Sequence, residues 1–214
     1  MKSGADDSAV ARGGYHHGDL RRHLIAVGER LLEERGVEGF TLRECARRAG
    51  VSPSAPSHHF GSVTGLLTAI ATVGFDGLTA AQEAALAGSG DGPGARLRAI
   101  GGAYIRYAVA HPARFRVAFG HLPLDKSDPA LAAAGARALG VLRRELAAMN
   151  ATAGDDETAA VAFAWSAVHG YAGLLIDGHL AVVDPGRDRD AFLGAIADRT
   201  LALLSRAFEA GPPG

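Results

Sequence analysis

Residues Thr41 to Phe60 read TLRECARRAGVSPSAPSHHF, and their spacing predicts two short helices joined by a tight turn. Thr41 is placed to cap a first helix over Leu42–Ala49, because its hydroxyl can accept an N–H left unpaired at a helix start. Gly50 supplies the turn, since glycine enters the left-handed backbone region without steric cost. Ser52 is the expected cap of the second helix, with Pro53 at its first position, where a missing N–H costs nothing. On that register Pro56 is the fourth residue of the second helix and removes its first hydrogen bond, either opening the helix start toward DNA or being tolerated there with no role in readout. Leu42, Ala46, Ala49 and Val51 are spaced to pack the helices together, which leaves Ser54, Ala55, Ser57 and His58 facing outward. Two helices crossing at a short glycine turn form a helix-turn-helix, a shape whose second helix fits a DNA major groove.

Working outward, residues 1–14 lack periodicity and read as a flexible arm. Asp19 is a plausible cap for a helix carrying Leu20, Leu24, Val27, Leu31 and Leu32 on one stripe and ending at Gly36. Beyond Phe60, Ser62 is placed to cap a long helix with Leu66, Leu67, Ile70, Val73 and Leu78 on its inner side. Gly88 to Gly94, GSGDGPG, is the clearest linker. Helical patterns follow over 95–110, 112–120, 129–149, 155–178 and 188–209, with Asp128-Pro129 as a cap and first position and Asp155 or Asp156 as another cap. No bounded alternating pattern suggests a strand. The expected fold is all-α: an arm over 1–14, a three-helix helix-turn-helix domain over 15–78, and a larger helical ligand-binding and dimerisation bundle over 79–214.

Composition narrows the class. The chain has 214 residues, 48% of them apolar and 6% aromatic, so its core is expected to be aliphatic. It contains no run of 18 apolar residues and no apolar secretion core at its start, so neither a membrane span nor an export signal is expected. The single cysteine, Cys45, excludes an internal disulfide and suits a reducing cytoplasm. Residues 1–60 carry nine Lys/Arg against eight Asp/Glu, and five of the nine histidines, so any basic footprint for DNA is local.

Four separated motifs make the chain resemble the TetR family of one-component transcriptional regulators. They are GVEGFTLRECARRAGVSPSAPSHHFGSVTGLL over 36–67, TyrHisHisGlyAspLeuArg over 15–21, His111-Pro112-Ala113-Arg114-Phe115, and Trp165-Ser166-Ala167-Val168-His169-Gly170. The last resembles the branch whose C-terminal domain carries a Trp…His-Gly signature, and the Ala55-Pro56 pair matches it too. The resemblance implies a cytoplasmic homodimer that binds double-stranded DNA at a short palindromic operator and acts as a repressor released by a small-molecule effector. Family members usually place Tyr where this chain has Ser57, and Ser-Lys-Glu or Ser-Lys-Asp where it has Ser62-Val63-Thr64. Those Tyr and Lys side chains typically touch phosphates, so Arg43, Arg47 and the histidines are left to compensate. Two rival readings stay open: a TetR-like ligand-binding or partner module whose DNA binding is weakened or lost, and a helical protein that binds metal through histidine.

The DNA-binding candidates are Thr41, Leu42, Arg43, Ser52, Ser54, Ala55, Ser57, His58 and His59, with Arg43 aimed at a phosphate near a helix N-terminus. His58 and His59 point in different directions and cannot form an i, i+4 metal pair, and His16-His17 lacks a further spaced ligand. No cofactor, metal site or catalytic residue is expected. Trp165 and His169 share a helix face and, with Tyr104, Phe115 and Phe119, are candidates to line an effector pocket; Phe163 is a further one. The same residues would equally serve as a core Trp with a satisfied histidine. The many Ala and Gly residues over 159–173 suit close helix packing, and with the 188–209 helix they suggest a dimer face. Cys45 reads as small core filler.

Overall fold

The structure, a computed structural model, describes residues 17–149 and 155–209. The expected arm over 1–14 and the side chains of His16 and His17 lie outside what it describes. All regular elements among the described residues are helical. Helices α1 (His17–Arg35), α2 (Leu42–Ala49), α3 (Ala55–Phe60) and the long α4 (Val63–Ala87) are followed by α5 (Pro93–Ala110), α6 (Pro112–Phe119), α7 (Pro129–Ala147) and α8 (Asp155–Ile176). A 3₁₀ turn at His179–Val182, the single turn α9 (Arg189–Ala191), a π turn at Phe192–Ile196 and α10 (Ala197–Glu209) complete the chain.

Local hydrogen bonds account for most boundaries. The Thr41 hydroxyl accepts from the Glu44 N–H at 3.1 Å, Ser62 accepts from Gly65 at 3.1 Å, and Asp128 accepts from Ala130 and Leu131 at 2.7 and 3.1 Å. Each such cap contributes on the order of 1 kcal/mol. Gly50 sits at φ +67°, the left-handed turn its position requires.

Three expectations are corrected. Ser52 does not cap the second helix: α3 opens at Ala55, and the Ser52 hydroxyl lies against that of Ser54 at 3.3 Å. Proline is the reason. Pro56 has no N–H to return to the Ser52 carbonyl, so that carbonyl accepts from Ala55 instead, at 3.0 Å, and a tight turn precedes the helix. Pro56 thus falls in the first turn of α3, buried, rather than at a fourth position. Asp19 lies inside the first turn of α1, where its charge complements the helix dipole, and pairs with Arg22. The 188–209 segment is not one helix: Gly194 departs to φ −94°, ψ −106°, and the chain bends there.

Two cores form. The N-terminal one gathers Leu24, Leu31, Phe40, Cys45, Leu66 and Ile70; the completely buried leucines each contribute roughly 1.5–3 kcal/mol. The second is built from α4, α5, α7, α8 and α10. Helix α4 serves both cores, its Leu66–Ala71 part in the first and Leu78 and Leu86 in the second, so position 78 falls within a continuous helix. The short α6 is also shared, placing Ala113 and Val117 in the first core and Phe115 in the second. Gly77 leaves room for the Tyr107 side chain of α5, whose hydroxyl a Cβ there would meet at 2.4 Å. Helices α4 and α8 are long and apolar enough to span a membrane, yet each donates buried side chains to the helical cores.

Charges join the layers. Glu145, with a side chain only 2% exposed, receives Arg96 in a two-pronged pair at 2.7 and 2.9 Å, tying α7 to α5. Arg114 of α6 makes the same kind of pair with Glu29 of α1, at 2.6 and 3.0 Å. That pair physically connects the bundle to the helix-turn-helix.

Candidate DNA-binding face and ligand cavity

Helices α2 and α3 hold their apolar sides inward and present a polar outer face. Thr41, Arg43, Ser52, Ser54, Ser57 and His58 are exposed, whereas Leu42, Ala55 and His59 are half-buried. Leu42 packs on the N-terminal core, and His59 stacks at a tilt on Phe60, 6.1 Å between ring centres. Arg21 of α1 lies over the other partner of that stack, 5.2 Å from the Phe60 ring centre. Thr41, Arg43, Glu44, Arg47, Val51 and Pro53 ring an open depression between the start of α2 and the approach to α3.

The arginines of α2 are not equivalent. Arg47 grips both oxygens of Glu44 at 2.8 and 2.7 Å, and Arg48 reaches Glu44 at 3.0 Å and Glu34 as well. With Arg35 also nearby at 3.6 Å, the bonded Arg47 and Arg48 hold the Glu44 carboxyl down at about 2. Arg43 forms no ion pair among the described residues and is exposed. Of the two arginines expected to compensate for the absent Tyr and Lys, only Arg43 carries uncommitted charge.

Behind this unit, α4, α5, α6, α7, α8 and Leu204 of α10 line a partly open cavity of about 320 Å³. Its wall is mostly aliphatic and aromatic, with Phe75, Tyr104, Phe119 and Trp165 among the lining residues and no charged side chain. Trp165, 38% exposed, is both wall and surface. Polar atoms at this wall are arranged in a relay. The Trp165 indole N–H donates to the Tyr104 hydroxyl at 3.4 Å, and that hydroxyl lies 2.8 Å from His169 Nδ1. Burial pushes the Tyr104 hydroxyl well above its ordinary range and the His169 imidazole below its own. Both shifts favour the neutral forms, and the Tyr104 hydroxyl and His169 Nδ1 share one hydrogen bond whose donor follows the histidine tautomer. The exception to this pairing is Gln82, 4% exposed, whose amide oxygen has no hydrogen-bond partner. Such an orphan costs about 1–3 kcal/mol.

Comparison with known proteins now bears on both sites. Residues 24–70 match the model for bacterial regulatory proteins of the TetR family, and residues 97–207 match that for the tetracyclin repressor-like C-terminal domain. The chain belongs to the TetR family. A solved protein of unknown function from Rhodococcus sp. RHA1 is 35% identical, with 91% of this chain and 100% of that one covered and a TM-score of 0.71. The HTH-type transcriptional regulators BetI of Burkholderia mallei and Burkholderia thailandensis are 40% identical over 80 residues, 37% of this chain. The chain spans only 41% of the length of these curated relatives. A TetR protein of Acinetobacter baumannii solved with minocycline shares the fold at 19% identity, 94% of this chain, 100% of that one and a TM-score of 0.62.

In this TetR-family chain the predicted residues separate cleanly by place. Of those in the helix-turn-helix, Thr41, Arg43, Ser52, Ser54, Ser57 and His58 are exposed, whereas Leu42, Ala55 and His59 are turned partly inward. Tyr104, Phe119 and Trp165 line the cavity. Phe115 instead borders a much smaller adjoining space, and His169 stands behind the wall, bonded to Tyr104 and against Phe115 and Phe119 at 5.0 Å each. Phe163 is outside the cavity, 53% exposed and packed on Phe208. Sequence reasoning missed Gln82. The available signal was its place between Leu78 and Leu86 on the i, i+4 inner stripe of α4.

Cys45 is fully buried, its thiol near the Leu24 carbonyl at 3.5 Å. Burial raises it to about 11, which keeps it protonated and inert.

Proposed function

We propose that this protein is a cytoplasmic, homodimeric repressor that holds a palindromic operator through α2 and α3 and releases it when a small molecule fills the C-terminal cavity. The observation that carries the reading is one exposed polar face and one largely apolar cavity linked by α6. Arg43 supplies a phosphate contact, and α3 enters the major groove with Ser54, Ala55, Ser57 and His58 toward base edges. The cavity is of a size and polarity suited to a small apolar effector, and minocycline in the Acinetobacter protein is consistent with a ligand in this fold. Dimerisation is assigned to the outer face of α8 and α10, where Phe163, Gly170, Leu174 and Leu203 are exposed and Leu203 reaches 63%.

Selection from random duplex DNA at low salt, followed by sequencing, tests this reading. A palindrome with half-sites roughly 34–36 Å apart, or a multiple of that spacing, is the expected product. A folded dimer that enriches no sequence would overturn it in favour of a ligand-binding module without an operator. Light scattering on Leu203→Asp checks the assigned face, which requires the variant to become monomeric.

A further inference from the structure

The outer face of α2 carries an acid among its bases. Arg43 and Arg47 stand one helical turn apart, both exposed, and both line the open depression between α2 and the approach to α3. Glu44 lines the same depression and holds Arg47 with both carboxylate oxygens, at 2.8 and 2.7 Å. A guanidinium gripped at two oxygens is paired as a phosphate would pair it. The Glu44 carboxylate and a DNA phosphate therefore compete for the same donors.

Glu44 does not depend on Arg47 alone. Arg48 donates to it at 3.0 Å and Arg35 lies at 3.6 Å, while Glu34 also takes Arg48. Three guanidinium groups thus share two carboxylates. Of the three, only Arg47 lines the depression, and its side chain is the most exposed, 67% against 52% for Arg35 and 21% for Arg48.

We propose that Glu44 is an internal competitor for the DNA backbone: it occupies Arg47 in the free protein, and Arg47 exchanges Glu44 for a phosphate when α3 enters the groove. Glu44 keeps Arg48 and Arg35 after the exchange, so no carboxylate is left unpaired. Breaking the Glu44 bond weakens binding to every duplex alike, since a phosphate carries no sequence, and so leaves more of the affinity to base contacts. This assignment rests on the reading of α2 and α3 as the DNA-binding face, and gives Glu44 the setting of its strength.

The test uses the full chain and a short fluorescent duplex of mixed sequence, read by anisotropy over a range of salt concentrations, with circular dichroism to confirm folding. Glu44→Gln keeps the backbone N–H that the Thr41 hydroxyl accepts. It should tighten binding about threefold, the scale of one exposed ion pair. Arg47→Met reads the exchange independently: it should weaken binding and lower the salt slope by about one. In the Arg47→Met background, Glu44→Gln should lose most of its gain. Unchanged or weaker binding by folded Glu44→Gln overturns the exchange. A salt slope that Arg47→Met leaves unaltered overturns it too, as does a Glu44→Gln gain that is mostly retained without Arg47, which would make Glu44 a repulsive charge only. If the unaltered protein and both single variants, all folded, bind no duplex at low salt, the DNA-binding reading falls with it.

Discussion

Arg114 and Glu29 join α6, whose Phe119 reaches the cavity wall, to α1 of the DNA-binding unit, so breaking that pair is a test of coupling. The guanidinium meets both carboxylate oxygens at 2.6 and 3.0 Å, and the two side chains are 23% and 14% exposed. The pairing raises the Arg114 pKa still further, with the Glu29 hydrogen bond as the leading cause. Removing one partner of a fully buried pair costs 3–5 kcal/mol; with the remaining water access, Arg114→Met should cost about 2–4 kcal/mol. Glu29→Gln is expected to cost less, because the Gln oxygen and the Tyr107 hydroxyl still accept from Arg114, which is the more exposed partner. The double variant should recover part of the loss, giving a coupling energy of about 1–2 kcal/mol in urea denaturation at fixed protein concentration. With the pair absent, α6 can move without carrying α1, so 1-octanol in the cavity should still quench Trp165 but change operator affinity much less. A coupling energy below about 0.5 kcal/mol, or full ligand-induced release in the double variant, would refute the reasoning.

Other outcomes follow from single sites. Gly50→Ala places a side chain at φ +67° with open space around its Cβ, so backbone strain alone should lower stability by about 1–2 kcal/mol; an unchanged urea midpoint would show that the turn tolerates alanine. The folded Glu44 carboxyl lies at about 2 against an ordinary 4.5. Its contribution is therefore present above pH 4.5 and is lost as pH falls from there toward 2, and Glu44→Gln should flatten that acid limb. His169 is depressed by burial, so its contribution is present above its ordinary 6.5 and is lost as pH falls below it. His169→Gln should weaken this dependence, and an identical pH profile would place the titration elsewhere.

Much of the fold was legible because local chemistry decided it. Thr41, Ser62 and Asp128 cap helices as their side chains dictate, and Gly50 turns where only glycine is unstrained. The start of α3 was not legible from Ser52 and Pro53, because Pro56, downstream, withdraws the N–H that a Ser52-capped helix needs. The break at Gly194 was hidden by apolar residues that continue a helical rhythm on both sides. After it, Ala197, Leu201, Leu204 and Ser205 are buried, whereas Leu203 is exposed. At the candidate DNA face, Ser54, Ser57 and His58 are exposed as expected and Ala55 is half-buried, while the commitment of Arg47 to Glu44 required three-dimensional distances. In the cavity, aromatic residues announced themselves by size. Gln82 did not, because a polar residue on an apolar stripe reveals its orphaned oxygen only once its neighbours are known. The links made by Arg96–Glu145 and Arg114–Glu29 are likewise set by tertiary packing, far apart in sequence.

Repeating the random-duplex selection with His58→Ala and Arg43→Ala tests most directly whether α3 reads bases while α2 anchors the backbone. His58→Ala should change base preference at matching positions in both half-sites. Arg43→Ala should retain the same palindrome, weaken binding across all sequences, and lower the salt slope by about one. An unchanged palindrome with His58→Ala, together with an altered one for Arg43→Ala, would contradict this assignment of α2 and α3.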